Sequence, residues 1–162
     1  MSHQPMEETD LFRVFNDLAK EAWDLTLAWP ALAQDILGKQ FVRAIDSVGA
    51  NLVGGDGRYS DAEALHFFEF ARGSARESAF WIRQAVQRSL IVPQQADQML
   101  KRIESGQKML NSLINYRRRT KNKGIVRETV SIYRLGTLSH LAPSAPRLAP
   151  GASFQISHGG DL

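Results

Sequence analysis

Residues 40–55 read Gln40-Phe41-Val42-Arg43-Ala44-Ile45-Asp46-Ser47-Val48-Gly49-Ala50-Asn51-Leu52-Val53-Gly54-Gly55, and their spacing decides the fold class. Phe41, Ile45, Val48 and Leu52 recur at three- and four-residue steps, which is the period of one helix face. At about 100° per residue, Arg43, Ser47, Asn51 and Gly54 fall on a second, narrow stripe. That stripe carries no bulky apolar residue. It is either solvated, with Asn51 helping to end the helix, or it lines an oligomer interface or a groove. Gly54-Gly55-Asp56-Gly57 then reads as the helix stop, since glycine readily adopts the left-handed conformation that closes a helix. The same glycines do not make a phosphate loop. No strand precedes them and no Gly-Lys-Ser/Thr follows.

The flanking sequence repeats the helical period. Before it, Leu11, Val14, Phe15, Leu18, Ala22 and Leu25 predict a helix over 10–28, capped by Thr9 or Asp10 and ended before Pro30. The central run predicts a helix over 34–53. After it, Ser60-Asp61-Ala62-Glu63 reads as a capping box opening a helix over 61–89. Its inward face is expected to carry Phe67, Ala71, Ser74, Ser78, Trp81 and Ala85. Pro93 suits a first helical turn and opens a helix over 93–119. There Leu100, Ile103, Gln107, Leu110 and Ile114 keep the spacing of a bundle seam. The short connections predict an all-α, antiparallel, up-down-up-down four-helix bundle. Its expected core includes Leu18, Leu25, Ile45, Val48, Phe67, Trp81, Leu100, Ile103 and Leu110.

Two basic features stand out. Arg72, Arg76 and Arg83 share a face of the third helix. Arg72 and Arg76, one turn apart, repel each other by a few tenths of a kcal/mol, partly offset by Glu69 and Glu77. Such a ladder grips phosphates bidentately or pairs with acids on a neighbouring helix or subunit. Between them Gly73-Ser74 costs helix propensity and reads as a packing notch where another backbone comes close. At the end of the fourth helix Arg117, Arg118, Arg119, Lys121 and Lys123 make five of the seven residues after Tyr116 basic. A helix C-terminus favours cations, but five exceed what capping requires, so these residues are the first candidates for contact with a polyanion.

Charge distribution points the same way. The chain has 162 residues and a net charge of +3. Residues 117–162 hold eight Lys/Arg against Glu128 and Asp161, so the bundle itself is mildly acidic. Such polarity is either an electrostatic footprint for nucleic acid or a solubilising tail. The stretch 124–162 changes character, turning rich in Pro, Ala, Ser and Gly, and is expected to be mostly disordered or partner-dependent. Val130-Ser131-Ile132-Tyr133 within it favours a strand. Residues 1–9 are expected to be a flexible lead-in.

The chain has no cysteine, so disulfides, thiolate metal sites and cysteine nucleophiles are excluded. His3, His66, His140 and His158 are scattered, and no nucleophile–base–orienter constellation exists. Paired acids sit at helix starts, where the helix dipole explains them. The reading is therefore a protein without catalytic residues, metal or cofactor. The polar, acidic N-terminal stretch shows no secretory signal, and no apolar run is long enough to span a membrane. A cytoplasmic location is expected.

The two motifs together resemble the four-helix-bundle proteins encoded in intervening sequences of bacterial 23S rRNA. That family's approximate form is Gln-x-x-Arg-Ala-x-x-Ser-Ile-x-x-Asn-Ile-x-Glu-Gly, a Gly-Arg-x-Ser turn, and Phe-Leu-x-Ile-Ala-x-Gly-Ser-x-x-Glu. Gln40, Arg43, Ala44, Ser47, Asn51, Gly55, Gly57, Arg58, Ser60, Ala71, Gly73, Ser74 and Glu77 match it. Gly54 stands where the family has Glu, and Ser78 where it has an apolar residue. The resemblance implies a homopentameric antiparallel bundle, similar in fold to the accessory proteins of diversity-generating retroelements, which work beside a reverse transcriptase and its RNA. The combined expectation is a homo-oligomer that binds structured RNA or an RNA–protein complex. An accessory subunit of a reverse transcriptase and a purely structural oligomer are the alternatives.

Overall fold

Thr9 starts the first helix, its hydroxyl accepting from the Phe12 N–H at 3.2 Å. Helix α1 covers Asp10–Leu27 and buries Leu11, Phe15, Leu18 and Ala22. The chain turns at Pro30, makes a single α-turn at Ala31–Ala33 and a π-helical segment at Gln34–Gly38, then enters α2, Lys39–Asp56. Gln34 secures this turn, its Nε2 donating to the Leu27 and Trp29 carbonyls at 3.1 and 2.8 Å. Two orphan carbonyls at the end of α1 are thereby satisfied. Helix α3 spans Asp61–Gln87, opened by Ser60, whose hydroxyl accepts from Glu63 N–H at 3.2 Å. Helix α4 spans Pro93–Gly136.

The computed structural model describes residues 4–136, with side chains to Thr120. One compact unit covers Met1–Val126, and a second begins at Arg127. Of the second, the described part, 127–136, is helical. No strand occurs among the described residues.

The four helices run up and down. Gly49 lies against Phe12 and Gly38 against Thr26, so α2 is antiparallel to α1. Gly106 meets the Phe15 ring while Arg102 pairs with Glu21 at 2.5 Å, so α4 is antiparallel to α1 as well. Ala79 and Arg83 face residues between Asp97 and Gln107, and Arg117 reaches Asp61, which makes α3 and α4 antiparallel. The core between them holds Leu18, Phe41, Ile45, Val48, Leu52, Phe68, Ile82, Met99, Ile103 and Leu110, all essentially without solvent contact. Full burial of each large apolar side chain contributes about 1.5–3 kcal/mol.

Three expectations need correction. On the third helix Ala71, Ser78 and Ala85 are buried as expected, but the buried face is turned away from Phe67 and Trp81. Phe68, Ala75 and Ile82 are buried, while Phe67 and Trp81 are only partly buried. A single position turns a helix by about 100°, and the run of aromatics offered two competing stripes. Leu25 and Leu100 likewise pack at the margin of the core rather than inside it. Next, Gly54 and Gly55 lie inside α2 rather than ending it. A Cβ on Gly55 would stand 2.6 Å from the Phe68 ring, and one on Gly54 would stand 3.1 Å from that of Phe67. These glycines permit close helix packing, and Gly57 does the capping. Third, α4 does not end at 119. Its helical backbone continues to Gly136 through Val130–Tyr133, because a four-residue β-favouring run has no ladder partner to override an established helix. The remainder of the expected tail, 137–162, lies outside the described residues. The notch expected at Gly73 is not filled from within the bundle. Nothing in the described chain lies within 4 Å of a Cβ placed there.

The core admits one polar side chain among the described residues, Ser78, at the position of the family's apolar residue. Its hydroxyl donates to the Ser74 carbonyl one turn earlier, at 2.8 Å, which removes the penalty of burying it.

Candidate functional site

The basic end of α4 divides into held and free charges. Arg117, whose side chain is 25% exposed, reaches Asp61 at 3.0 Å and Asp56 at 3.8 Å. Thr120 Oγ1 also donates to Asp61 at 3.1 Å, and the Met6 N–H to Asp56 at 3.2 Å. Arg117 thus ties the end of α2 and the start of α3 to α4. Arg118 pairs with Glu69 on α3 at 2.5 Å. Glu69 also holds Arg72, one turn along its own helix. Arg119 is exposed, with no acidic partner among the described residues. The side chains of Lys121 and Lys123 lie outside the described residues, although their helical backbone carries the same end of α4 onward.

On α3, Arg76 and Arg83 are exposed. Arg76 has no ion-pair partner among the described residues, and Arg83 donates only to the Ala79 carbonyl, at 3.3 Å. The structure therefore does not join the two basic features into one continuous patch. Among the described residues it leaves Arg76 unpaired on α3, Arg83 in a hollow beside Asp97 and Glu104 of α4, and Arg119 unpaired at the end of α4. They are separated by the pairs at Glu69.

The stripe on α2 faces a groove. Arg43 and Ser47 line a trough of about 710 Å³ between α1 and α2, with Trp23, Thr26, Leu27, Gly38, Val42 and Asp46 among its walls. Asn51 lies one turn beyond, its Nδ2 donating to the Ser47 carbonyl at 2.7 Å. A second hollow of about 350 Å³, lined by Phe12, Asn16, Asp46 and Ala50 among others, continues the trough along the same two helices. The rim is apolar and open. Trp23 is 56% and Leu27 59% exposed. Asp46 stands on the floor, where partial loss of solvent pushes its carboxyl above the usual carboxylate range. The π-helical segment closes one end, and such segments gather at functional sites.

The outer stripe of α3 forms the opposite shape. Phe70 and Phe80, 62% and 48% exposed, flank Gly73 on one line of the helix. Phe80 packs edge-on to Trp81, whose Nε1 donates to Glu77 at 3.2 Å. Gly73 lies on this ridge, and Ser74 sits one residue inward with its carbonyl taken by Ser78. The sequence pattern flagged neither apolar surface. Its signal was there in Trp23, Leu27, Phe70 and Phe80, large apolar residues standing off their helices' inward stripes.

Among the described residues no cluster of His, Asp and Glu is placed to hold a metal ion. No described helix is long and apolar enough to cross a membrane.

The family model of the 23S rRNA-intervening sequence protein matches residues 7–112, which takes in the groove, the ridge and most of the bundle. The chain belongs to that family. A solved structure of a protein of unknown function from the S23 ribosomal protein family of Bacteroides thetaiotaomicron is similar to this chain. It shares 19% identity and a TM-score of 0.58 over 64% of this chain and 97% of its own. That likeness establishes the shared bundle fold. No curated protein matches the chain. The match stops at 112, so the basic end of α4 is a feature of this family member outside the matched region.

Proposed function

We propose that this protein is a non-enzymatic, homo-oligomeric bundle that binds structured RNA, or an RNA–protein complex, through its basic surfaces. The observation carrying this reading is Arg119. It is exposed on α4 with no acidic partner among the described residues, at the head of the Arg119–Lys121–Lys123 run, while its neighbours Arg117 and Arg118 are held by Asp61 and Glu69. Uncompensated cations on a helix end bind phosphates by releasing counterions, with little regard for sequence. Arg76 and Arg83 are second candidates. Self-association fits the apolar rim of the groove and the aromatic ridge, since exposed apolar surface of this kind marks an interaction site. It would also place several basic ends on one particle and raise avidity.

A purely structural oligomer is the second reading. It draws on the ion pairs of Arg72, Arg117 and Arg118, which already satisfy three of the candidate arginines inside the chain.

The test is a titration of labelled structured RNA with the wild type and with a variant carrying Gln at 119, 121 and 123. The expected result is weaker binding to unrelated RNA sequences with unchanged oligomeric mass. Unchanged affinity would favour the structural reading.

A further inference from the structure

Two exposed rings stand at the end of the bundle that carries Arg119. Tyr59 lies in the turn between α2 and α3 and is fully exposed, and Tyr116 is exposed on α4. Tyr59 comes two residues before Asp61, which accepts from Arg117 at 3.0 Å and from Thr120 at 3.1 Å. The turn is thereby fixed beside the residues that bracket Arg118 and Arg119. Tyr116 and Arg119 are three apart on one helix, so their side chains are surface neighbours. The core face of α4 carries Ile103, Leu110 and Ile114, and at about 100° per residue both Tyr116 and Arg119 fall on the opposite side. Arg58, next to Tyr59, is committed to its own helix and the next. Its Nε donates to the Gly54 carbonyl at 3.2 Å, and its guanidinium lies 4.3 Å from the centre of the Phe67 ring.

Charge limits what can lie across this end. Arg119 has no acidic partner among the described residues, while Arg117 is taken up by Asp56 and Asp61. Glu7 and Glu8 are exposed at the same end, where the Met6 N–H donates to Asp56. A short basic run with two acids nearby is a sparse cradle for the two phosphate rows of a duplex. It suits a single strand, whose phosphates meet the cations while its unpaired bases turn onto aromatic faces. Every base has a π-face, so stacking on tyrosine needs no particular sequence.

We propose that Tyr59 and Tyr116 are stacking platforms for unpaired bases, and that this end of the bundle takes a single-stranded loop of RNA held by Arg119 rather than a duplex stem. This rests on the RNA binding of the proposed function and names the part of the RNA that is bound. A phenol ring offers a large, rigid contact at little entropic cost, with its hydroxyl left in water. A base inside a duplex already has both faces stacked, so the rings discriminate loop from stem. The cations set the salt dependence of binding.

The experiment uses the full chain and two labelled RNAs with equal numbers of phosphates, a hairpin with a wide loop and a fully paired duplex. The wild type is expected to bind the hairpin more tightly. Tyr59→Ala and Tyr116→Ala should each weaken hairpin binding by roughly 5- to 150-fold, the loss of one base stack. Duplex binding and the salt slope should not change, since no charge is removed. Tyr59→Phe and Tyr116→Phe should bind as the wild type does, because the ring is kept. Both positions are exposed, so circular dichroism and light scattering should show unchanged helix content and oligomeric mass. A wild type that prefers the duplex would overturn the stacking while leaving RNA binding through the cations standing. So would alanine variants that bind the hairpin as tightly as the wild type, or that weaken hairpin and duplex alike. A wild type that binds neither RNA would overturn the proposed function as well. A lower oligomeric mass in either alanine variant would make that ring a subunit contact and overturn its role as a platform. A loss confined to one tyrosine would overturn the two-ring platform.

Discussion

Arg117 and Asp61 meet at 3.0 Å although 56 positions separate them in the chain. The contact decides which charges at the end of α4 remain available. Asp61 and Asp56 hold this guanidinium in a partly buried position, so it fastens the α2–α3 turn to α4 rather than projecting outward. Arg119, two residues on, has no such partner among the described residues.

Arg117→Ala should therefore lower stability by about 2 kcal/mol, the range for a lost charge-assisted hydrogen bond that leaves acids behind. Urea denaturation measures it through the midpoint. RNA affinity per folded molecule should hardly change. A loss of RNA binding with no loss of stability would place Arg117 on the RNA instead.

Two glycines should respond in opposite directions. Gly55→Ala introduces a Cβ 2.6 Å from the Phe68 ring and should cost about 1–3 kcal/mol through overpacking, despite alanine's better helix propensity. Gly73→Ala adds its methyl in open space. It should stabilise the bundle by about 1 kcal/mol through helix propensity. Thermal denaturation of the pair checks both. A stabilising Gly55→Ala would mean that α2 and α3 do not pack as closely as described.

Ser89 ends α3 with φ of 56°, in the left-handed region. Its N–H bonds the Val86 carbonyl and that of Leu90 bonds the Ala85 carbonyl, both at 2.9 Å, which is the Schellman closure that glycine serves best. Ser89→Gly should raise stability by about 1 kcal/mol by removing the left-handed penalty of a β-carbon. A lower melting temperature would show that the Ser89 side chain has a role beyond the turn.

Helix number, order and direction were legible in the sequence because each helix carries its own period and start signal. The Thr9 and Ser60 caps are both present. The inward face of α3 was not legible. Phe67, Phe68 and Phe70 are equally apolar, and only the neighbouring helices decide that Phe68 enters the core. Gly54 and Gly55 misled for a related reason. Glycine serves turns and close contacts alike, and the Phe67 and Phe68 rings that need the space belong to another helix. Of the candidate site, the Arg43–Ser47 stripe was readable as a groove wall, whereas the ridge was not, because Phe70 and Phe80 look like core residues until their surroundings are known. The pairing of Arg117 with Asp61 depends on a contact across the bundle that spacing along the chain does not encode.

The salt dependence of RNA binding tests the central claim most directly. For the wild type, the logarithm of affinity for unrelated structured RNAs should fall linearly with the logarithm of salt concentration. Replacing Arg119, Lys121 and Lys123 with Gln should flatten that slope by roughly one unit per residue, while Arg117→Ala leaves it unchanged. An identical slope in the wild type and the triple variant would contradict RNA binding through the basic end of α4.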